Sequence, residues 1–216
     1  MTMTEPSLRR FTGLFGMAAT LLVAAQLPLY FLYEGAPPTW CILTRILLSM
    51  IGTTVLIVFH AGFRQVVRTS RPDLDLVATI GFAAGLMWLV FSMVAQSMEA
   101  GATIVATRPI DPTVEGPLAP GQFLLYGSIG RLMTSLFLIA AGFAIRHTRF
   151  LPDWIGLAAW VVALCNLAFV PSLYFGSNAA QFYSAVGWGT TATAPMLAVC
   201  WIFIASVSLF RSPSRV

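Results

Sequence analysis

Six long apolar runs constrain the fold of this chain more than any other feature of its sequence. The hydrocarbon core of a bilayer is about 30 Å thick, so about 20 consecutive apolar residues in a helix cross it. The runs are continuous and do not alternate with polar residues, which argues against transmembrane β-strands. The sequence therefore predicts an all-α integral membrane protein with a single transmembrane domain over residues 1–216. Its six-transmembrane-helix bundle comprises approximately residues 11–33, 40–63, 76–97, 122–145, 154–175 and 182–210.

Composition agrees with this class. The chain is 58% hydrophobic and 9% charged, whereas about a quarter of the residues in an ordinary soluble domain are charged. Only short tails and connections remain outside the runs, so a separate soluble catalytic module is not expected.

The arginines indicate an orientation in the membrane. All twelve basic residues are arginines, and nine of them lie at the termini or in alternate connections: Arg9, Arg10, Arg64, Arg68, Arg71, Arg146, Arg149, Arg211 and Arg215. The opposite connections hold one arginine and several acids: Arg108, Glu34, Glu99, Asp111 and Glu115. Basic loops stay on the cytoplasmic side of a membrane, so both termini are predicted to lie in the cytoplasm. The protein itself is predicted to reside in the inner (cytoplasmic) cell membrane. This topology explains the net charge of +4 without a nucleic-acid partner.

Prolines predict irregular backbone at the outer end of the bundle. Residues 99–121 contain four prolines and three glycines, so this segment is predicted to be a Pro-rich external loop between helices three and four. It covers the outer mouth of the bundle, and the sequence is compatible with either a lid or a plain loop. Within the runs, Pro28, Pro171 and Pro195 each remove one backbone hydrogen bond, which tends to kink a helix.

Arg131 is the only charged residue between residues 122 and 145. It lies about 13 Å below the outer boundary at 1.5 Å per residue, and a charge at such a depth requires a partner. We expect Arg131 to face the bundle interior within reach of Glu99, and of Glu34 if that residue is near. Arg45 is predicted to lie closer to the boundary, where its side chain can also extend to the lipid headgroups.

Helical spacing places polar and aromatic side chains on shared faces of the predicted helices. Polar stripes are unfavourable against lipid, so these faces are expected to line an outward-facing pocket. Glu99 and Glu34 are the candidate acid–base residues, and Arg131 is the candidate electrostatic stabiliser. The candidate substrate-binding residues are Arg45, Gln26, Tyr30, Trp88, Ser92, Gln96, Tyr126, Ser128, Asn166 and Trp188.

The sequence predicts neither a metal site nor a cofactor. Its two histidines and three cysteines are too few, and too widely spaced, for a multi-histidine or paired-cysteine site. The chain contains no lysine, which excludes a retinal Schiff base.

One stretch of the chain resembles small bacterial multi-pass membrane proteins of the domain-of-unknown-function type. It comprises helix four, the basic turn after it and the sequence "RFLPDWIGLAAWV" at 149–161. That resemblance covers about a quarter of the chain and implies no established activity. Outer carboxylates among aromatic residues are also similar to those of the small membrane-embedded terpene cyclases. Such enzymes protonate an alkene or epoxide with an acid and stabilise the cation with aromatic rings. They have seven helices, whereas six are predicted here.

Three classes of function remain open. The first is an acid–base enzyme, of the cyclase or isomerase type, acting on a lipophilic substrate. The second is a transporter or sensor that binds a small anionic or amphipathic solute at Arg131. The third is a structural or accessory membrane subunit in which Arg131 pairs with Glu99. The expected partners are the lipid bilayer and a lipophilic or amphipathic small molecule, and the sequence is compatible with a homo-oligomer.

Overall fold

The structure is a bundle of long helices. The computed structural model describes residues 4–33, 35–113 and 115–211. Within those residues, six helical spans are long and apolar enough to cross a membrane: Glu5–Tyr30, Thr39–Ser70, Pro72–Val105, Ala119–Thr148, Asp153–Phe175 and Gly189–Arg211. The predicted helical class and the number of spans are confirmed, and the chain has the architecture of a multi-pass membrane protein.

The described parts of the spans contain seven α-helices. They are α1 (Glu5–Ala25), α2 (Thr39–Ser70), α3 (Asp75–Val105), α4 (Ala119–Leu124), α5 (Gly130–Thr148), α6 (Asp153–Ala168) and α7 (Ala194–Arg211). Turns of 3-10 helix follow α1 and α6 at Leu27–Tyr30 and Val170–Phe175, and one precedes α3 at Pro72–Leu74. Turns of π-helix precede α5 and α7 at Leu125–Ile129 and Gly189–Thr193.

Consecutive spans pack side by side in antiparallel directions. Helix α1 packs on α2 and α7, α3 packs on α2 and α5, and α6 packs on α5 and α7. The bundle therefore has two distinct ends. We call the end with the connections after α1, α3 and α6 the loop end, and the opposite end, with the connections after α2 and α5, the basic end.

Small residues allow α1 and α7 to approach closely. A Cβ atom on Gly13 would lie 2.5 Å from the carbonyl oxygen of Ser206 and 2.8 Å from the amide nitrogen of Phe210. Both are backbone atoms, so a side chain at this position would push the helices apart. Close backbone approach of this kind is typical of helix packing in membranes.

Apolar side chains fill the interior of the basic half, where Phe59, Phe63, Phe137 and Trp201 pack through tilted or edge-on ring contacts. Other large apolar side chains stay exposed along the outside of the spans, including Leu14, Leu21, Leu47, Leu132, Leu157 and Leu164. This is the distribution expected of helices that face lipid, because burial in the protein offers an apolar side chain little advantage over hydrocarbon.

The predicted limits of the spans were in part wrong. Helix α3 continues through Glu99 to Val105 and α4 begins at Ala119, so the connection between them covers 106–118 and the expected loop at 99–121 is too long. The reason is local packing, because Glu99 and Thr103 are both buried and the Thr103 hydroxyl donates to the Glu99 carbonyl oxygen at 2.9 Å. The last span begins at Gly189 instead of 182, since residues 182–187 form turns and bends. A hydrogen bond from Gly189 N to Phe182 O at 3.1 Å closes this stretch.

The predicted irregularity near the internal prolines is confirmed. Pro28 and Pro171 lie in the 3-10 turns that follow α1 and α6, and Pro195 comes just after the π turn that precedes α7. All three positions belong to the loop-end half, so the backbone departs from regular α-helix where the candidate site was expected.

Candidate functional site

A buried ion pair joins α2 and α3 near the loop end. Arg45 Nη2 donates to Glu99 Oε1, and the two side chains are only 4% and 2% exposed. Opposite charges offset part of the cost of removing each other from water, provided that they are paired directly. Arg45 therefore does not extend to the headgroups, as its position in the sequence had allowed. It supplies the partner for Glu99 that we had expected Arg131 to supply.

Further contacts extend this ion pair along the same two helices. The Arg45 guanidinium lies over the Tyr30 ring, 3.8 Å from the ring centroid, in a favourable cation–π arrangement. One helical turn deeper, Gln96 Nε2 donates to Ser49 Oγ at 2.8 Å. We call these five residues, Tyr30, Arg45, Ser49, Gln96 and Glu99, the Arg45–Glu99 cluster.

Two residues from other segments face the cluster. The side chain of Tyr126 lies close to the Glu99 carboxylate. Asp111 lies within electrostatic range of Arg45, Glu99 and Tyr30, and adds a second negative charge. Its carboxylate accepts hydrogen bonds from the Thr113 amide at 3.0 Å and the Thr113 hydroxyl at 2.6 Å.

The connection after α3 therefore brings a second carboxylate toward the cluster. Besides placing Asp111, it buries Pro112. Sequence reasoning counted Asp111 only as an external charge. A carboxylate in a proline-rich segment above a polar pocket was the signal that could have identified it as part of the site.

Arg131 lies in the bundle interior, 2% exposed, but its partners are uncharged. Its Nη1 donates to Asn166 Oδ1 at 2.9 Å and its Nη2 donates to the Tyr126 carbonyl oxygen at 3.2 Å. In the described parts of the chain, no carboxylate oxygen lies within 4.0 Å of its guanidinium. The expected Arg131–Glu99 pair is thus wrong, and Glu34 lies outside the described residues.

The backbone break before α5 explains how Arg131 finds a carbonyl partner. Residues Leu125–Ile129 form a π turn, and Gly127 within it has a non-helical ψ of −115°. Such a break disturbs the regular pairing of carbonyl and amide groups. The Arg131 guanidinium supplies a donor to the Tyr126 carbonyl at this break.

Asn166 connects this arginine with α6 and α7. Its Nδ2 donates to the Val162 carbonyl oxygen at 2.9 Å and to the Ala194 carbonyl oxygen at 3.2 Å. We call Tyr126, Arg131, Asn166 and Ala194 the Arg131 network. Tyr126 belongs to both arrangements, because its carbonyl bonds Arg131 while its hydroxyl faces Glu99.

Buried polar atoms without partners surround these groups in the loop-end half. Within the described structure they are Arg45 Nε, Gln96 Oε1, Gln122 Nε2, Ser128 Oγ, Arg131 Nε and Ser172 Oγ. Native proteins leave few buried polar groups unpaired, so such a concentration calls for an unseen partner such as a ligand or water. Gln122 was not among the predicted site residues, although it lies four residues before Tyr126 in the same span.

The remaining predicted residues lie at the margins of the site or outside it. Ser92 donates to the Trp88 carbonyl within α3 at 3.0 Å, and Gln26 is half-buried at the end of α1. Trp88 is buried, but its ring lies 6.3 Å from the ring of His60, toward the basic half.

Trp188 is 48% exposed and stacks on Phe31, so its expected place in a deep pocket is wrong. It lies at the start of the last helical stretch, directly after the turns and bends at 182–187, whereas a continuous helix from 182 had been assumed.

Among the described residues, His, Cys, Asp and Glu form no group of three or more that could hold a metal ion.

Comparison with models of known families, with curated proteins and with solved structures finds no match for this chain.

Proposed function

We propose that the Arg45–Glu99 cluster binds the polar group of an amphipathic or lipophilic small molecule. The observation that supports this proposal is the group of buried, unpartnered polar atoms around a buried ion pair. A ligand with hydroxyl or carbonyl groups would give Gln96 Oε1 and Gln122 Nε2 the partners that they lack. The apolar part of the molecule would lie between the helices or against the lipid-facing side chains.

Acid–base chemistry on the bound molecule is the activity that we assign to this site, in an enzyme of the cyclase or isomerase type. Glu99 is the candidate proton-transfer group, since a carboxylate beside a Tyr126 hydroxyl offers both an acceptor and a donor. Arg45 takes the role of electrostatic stabiliser that was first given to Arg131, because Arg45 contacts Glu99 directly.

Orientation in the membrane is part of the proposal. The arginines at the basic end support cytoplasmic termini and an inner-membrane location. The loop end, with the Arg45–Glu99 cluster, then faces the outside, and the 106–118 segment covers the entrance. A substrate would reach the cluster from the outer leaflet or from the external medium.

A second candidate is the binding of a small anionic solute at Arg131, as in a transporter or sensor. The specific observation in its favour is that Arg131 is buried with an amide and a carbonyl as its partners, which leave its positive charge uncompensated. An anion beside a buried guanidinium would be strongly favoured.

Native mass spectrometry of the purified full chain tests the first proposal. We expect the wild type to retain an amphipathic molecule, identified after organic extraction. The variant Glu99→Gln should retain at least about tenfold less of this molecule than the wild type, because it loses a charged hydrogen-bond partner for the molecule. The control Ser97→Ala removes an exposed hydroxyl that bonds only within α3, and it should behave as the wild type.

A second pair of variants tests the covering segment. Asp111→Asn removes the charge near Arg45, whereas Glu115→Gln removes a charge that pairs with the exposed Arg108. Only the Asp111 variant should weaken ligand retention. Equal retention of ordinary phospholipid by all these proteins, and of nothing else, would favour the accessory-subunit alternative.

A further inference from the structure

A second polar group lies apart from the Arg45–Glu99 cluster, in the basic half. His60 on α2 is 1% exposed, and both of its ring nitrogens lack a hydrogen-bond partner within the described structure. Its ring meets the Phe137 ring edge-on, with the centroids 4.5 Å apart. Helix α3 has a glycine opposite the ring, where a Cβ on Gly85 would lie 2.6 Å from His60 Nδ1. Gly85 thus leaves room for the imidazole and offers it no side chain.

A crevice opens beside this histidine between α2, α3 and α5. It has a volume of about 10 Å³, which is about the space that one water molecule requires. Helix α3 lines it with Val77, Ala78, Gly81 and Phe82, and α5 lines it with Phe137, Ala140, Ala141 and Ala144.

Arg64 stands at the rim of the crevice, one helical turn from His60 toward the basic end. It is held there by Thr79, whose hydroxyl accepts from Nε at 3.3 Å, and by Asp75 at 3.6 Å. Arg64 is the charged residue among those that line the crevice. Asp75 of α3 lies behind it and also pairs with Arg68 of α2 at 2.8 Å, while α5 presents only apolar side chains to the crevice.

We propose that this crevice is a hydration site in which a water molecule bonds a ring nitrogen of His60 and connects it with the basic end. A neutral imidazole has one donor and one acceptor, so a water molecule can pair with either nitrogen. Cavities that stay dry are lined by apolar groups alone, and this one contains an imidazole and an arginine.

This site is independent of the proposed ligand site. Ser49, the deepest α2 residue of the Arg45–Glu99 cluster, is separated from His60 by about 16 Å along the helix. The intervening α2 interior holds Gly52, Thr53 and Leu56. Failure of either proposal therefore leaves the other unaffected.

The hydration site can be tested by NMR, by measuring contacts between water and ¹⁵N-labelled histidine of the protein in lipid nanodiscs. The full chain has two histidines, so the exposed His147 is replaced by Gln to leave a single imidazole signal. We expect cross-peaks between water and the His60 ring in this background. Gly81→Ala adds a methyl group to the crevice wall, 3.2 Å from Ala140 Cβ and 4.0 Å from the Phe137 carbonyl oxygen. That variant should reduce the water contact several-fold.

Gly101→Ala is the matched control, because a Cβ at this position of the same helix meets nothing within 4 Å. It should leave the water contact unchanged. Absence of water cross-peaks in the His147→Gln background would overturn the proposal, whether or not the Gly81 variant folds. Undiminished cross-peaks in a folded Gly81→Ala protein would overturn it as well, since the water would then lie elsewhere.

Discussion

The two buried arginines in the described part of this bundle have partners of different kinds. Arg45 has a carboxylate and an aromatic ring as partners, whereas Arg131 has an amide oxygen and a backbone carbonyl. A guanidinium offers five N–H donors, and the Nε group of each arginine is still unpaired in the described structure. The partners of Arg45 neutralise its charge, whereas the partners of Arg131 only accept hydrogen bonds from it.

A double-mutant cycle on Arg45 and Glu99 should show strong coupling. Either Arg45→Leu or Glu99→Leu leaves one unpaired charge in the interior and should lower the free energy of unfolding by about 3 to 5 kcal/mol. The double variant should recover most of that loss. Thermal unfolding in detergent measures it, with Arg68→Leu as a control at the half-exposed Arg68–Asp75 pair, where about 0 to 1 kcal/mol is expected. Additive losses in the double variant would contradict the pairing.

Sequence reasoning placed Arg131 in the interior but assigned it the wrong partner, and it did not predict that Arg45 would be buried. Depth follows from the position of a residue in its apolar run, so an interior Arg131 and a polar loop-end half could be anticipated. Partner choice depends on the rotation of one helix relative to its neighbour, and the sequence contains little information on that rotation. Glu99 packs against α2 close to Arg45, and for this reason its ion pair forms there.

At the scale of the elements, small residues decide which helices touch. Gly13 contacts α7, and Gly156 and Gly142 lie at the contact between α5 and α6. The number of spans could be predicted because hydrophobic length is a local property of the sequence. The ends of the spans could not be predicted in the same way, since α3 continues beyond the apolar run and buries Glu99 and Thr103 against neighbouring segments.

Gly13→Ala should destabilise the bundle by about 1 to 3 kcal/mol, the typical cost of overpacking. Its Cβ would meet backbone atoms of Ser206 and Phe210, which cannot rotate away. Gly101→Ala is the control, because the space around that position is open. Thermal unfolding of both variants in the same detergent provides the comparison, and equal stability would show that α1 and α7 can separate without loss.

For the whole molecule, the orientation predicted from the arginines can be tested by labelling intact cells. A Thr113→Cys variant, made without Cys41, Cys165 and Cys200, should react with an impermeant thiol reagent from outside. Residue 113 lies in the connection at the loop end, and Ser70 lies at the basic end. A Ser70→Cys variant is therefore expected to react only after the cells are opened. The reverse pattern would place the basic end outside the cell.

The lengths of α2 and α3 have a consequence for the choice of bilayer. They contain 32 and 31 residues, which gives each helix about 47 Å at 1.5 Å per residue, whereas the hydrocarbon core measures about 30 Å. Both helices must tilt or project, and lipids with longer acyl chains favour an upright bundle. Arg45 and Glu99 then sit deeper in hydrocarbon, while in a thin membrane they approach the headgroups. Acyl-chain length thus determines how strongly the surrounding membrane opposes the entry of water to this ion pair.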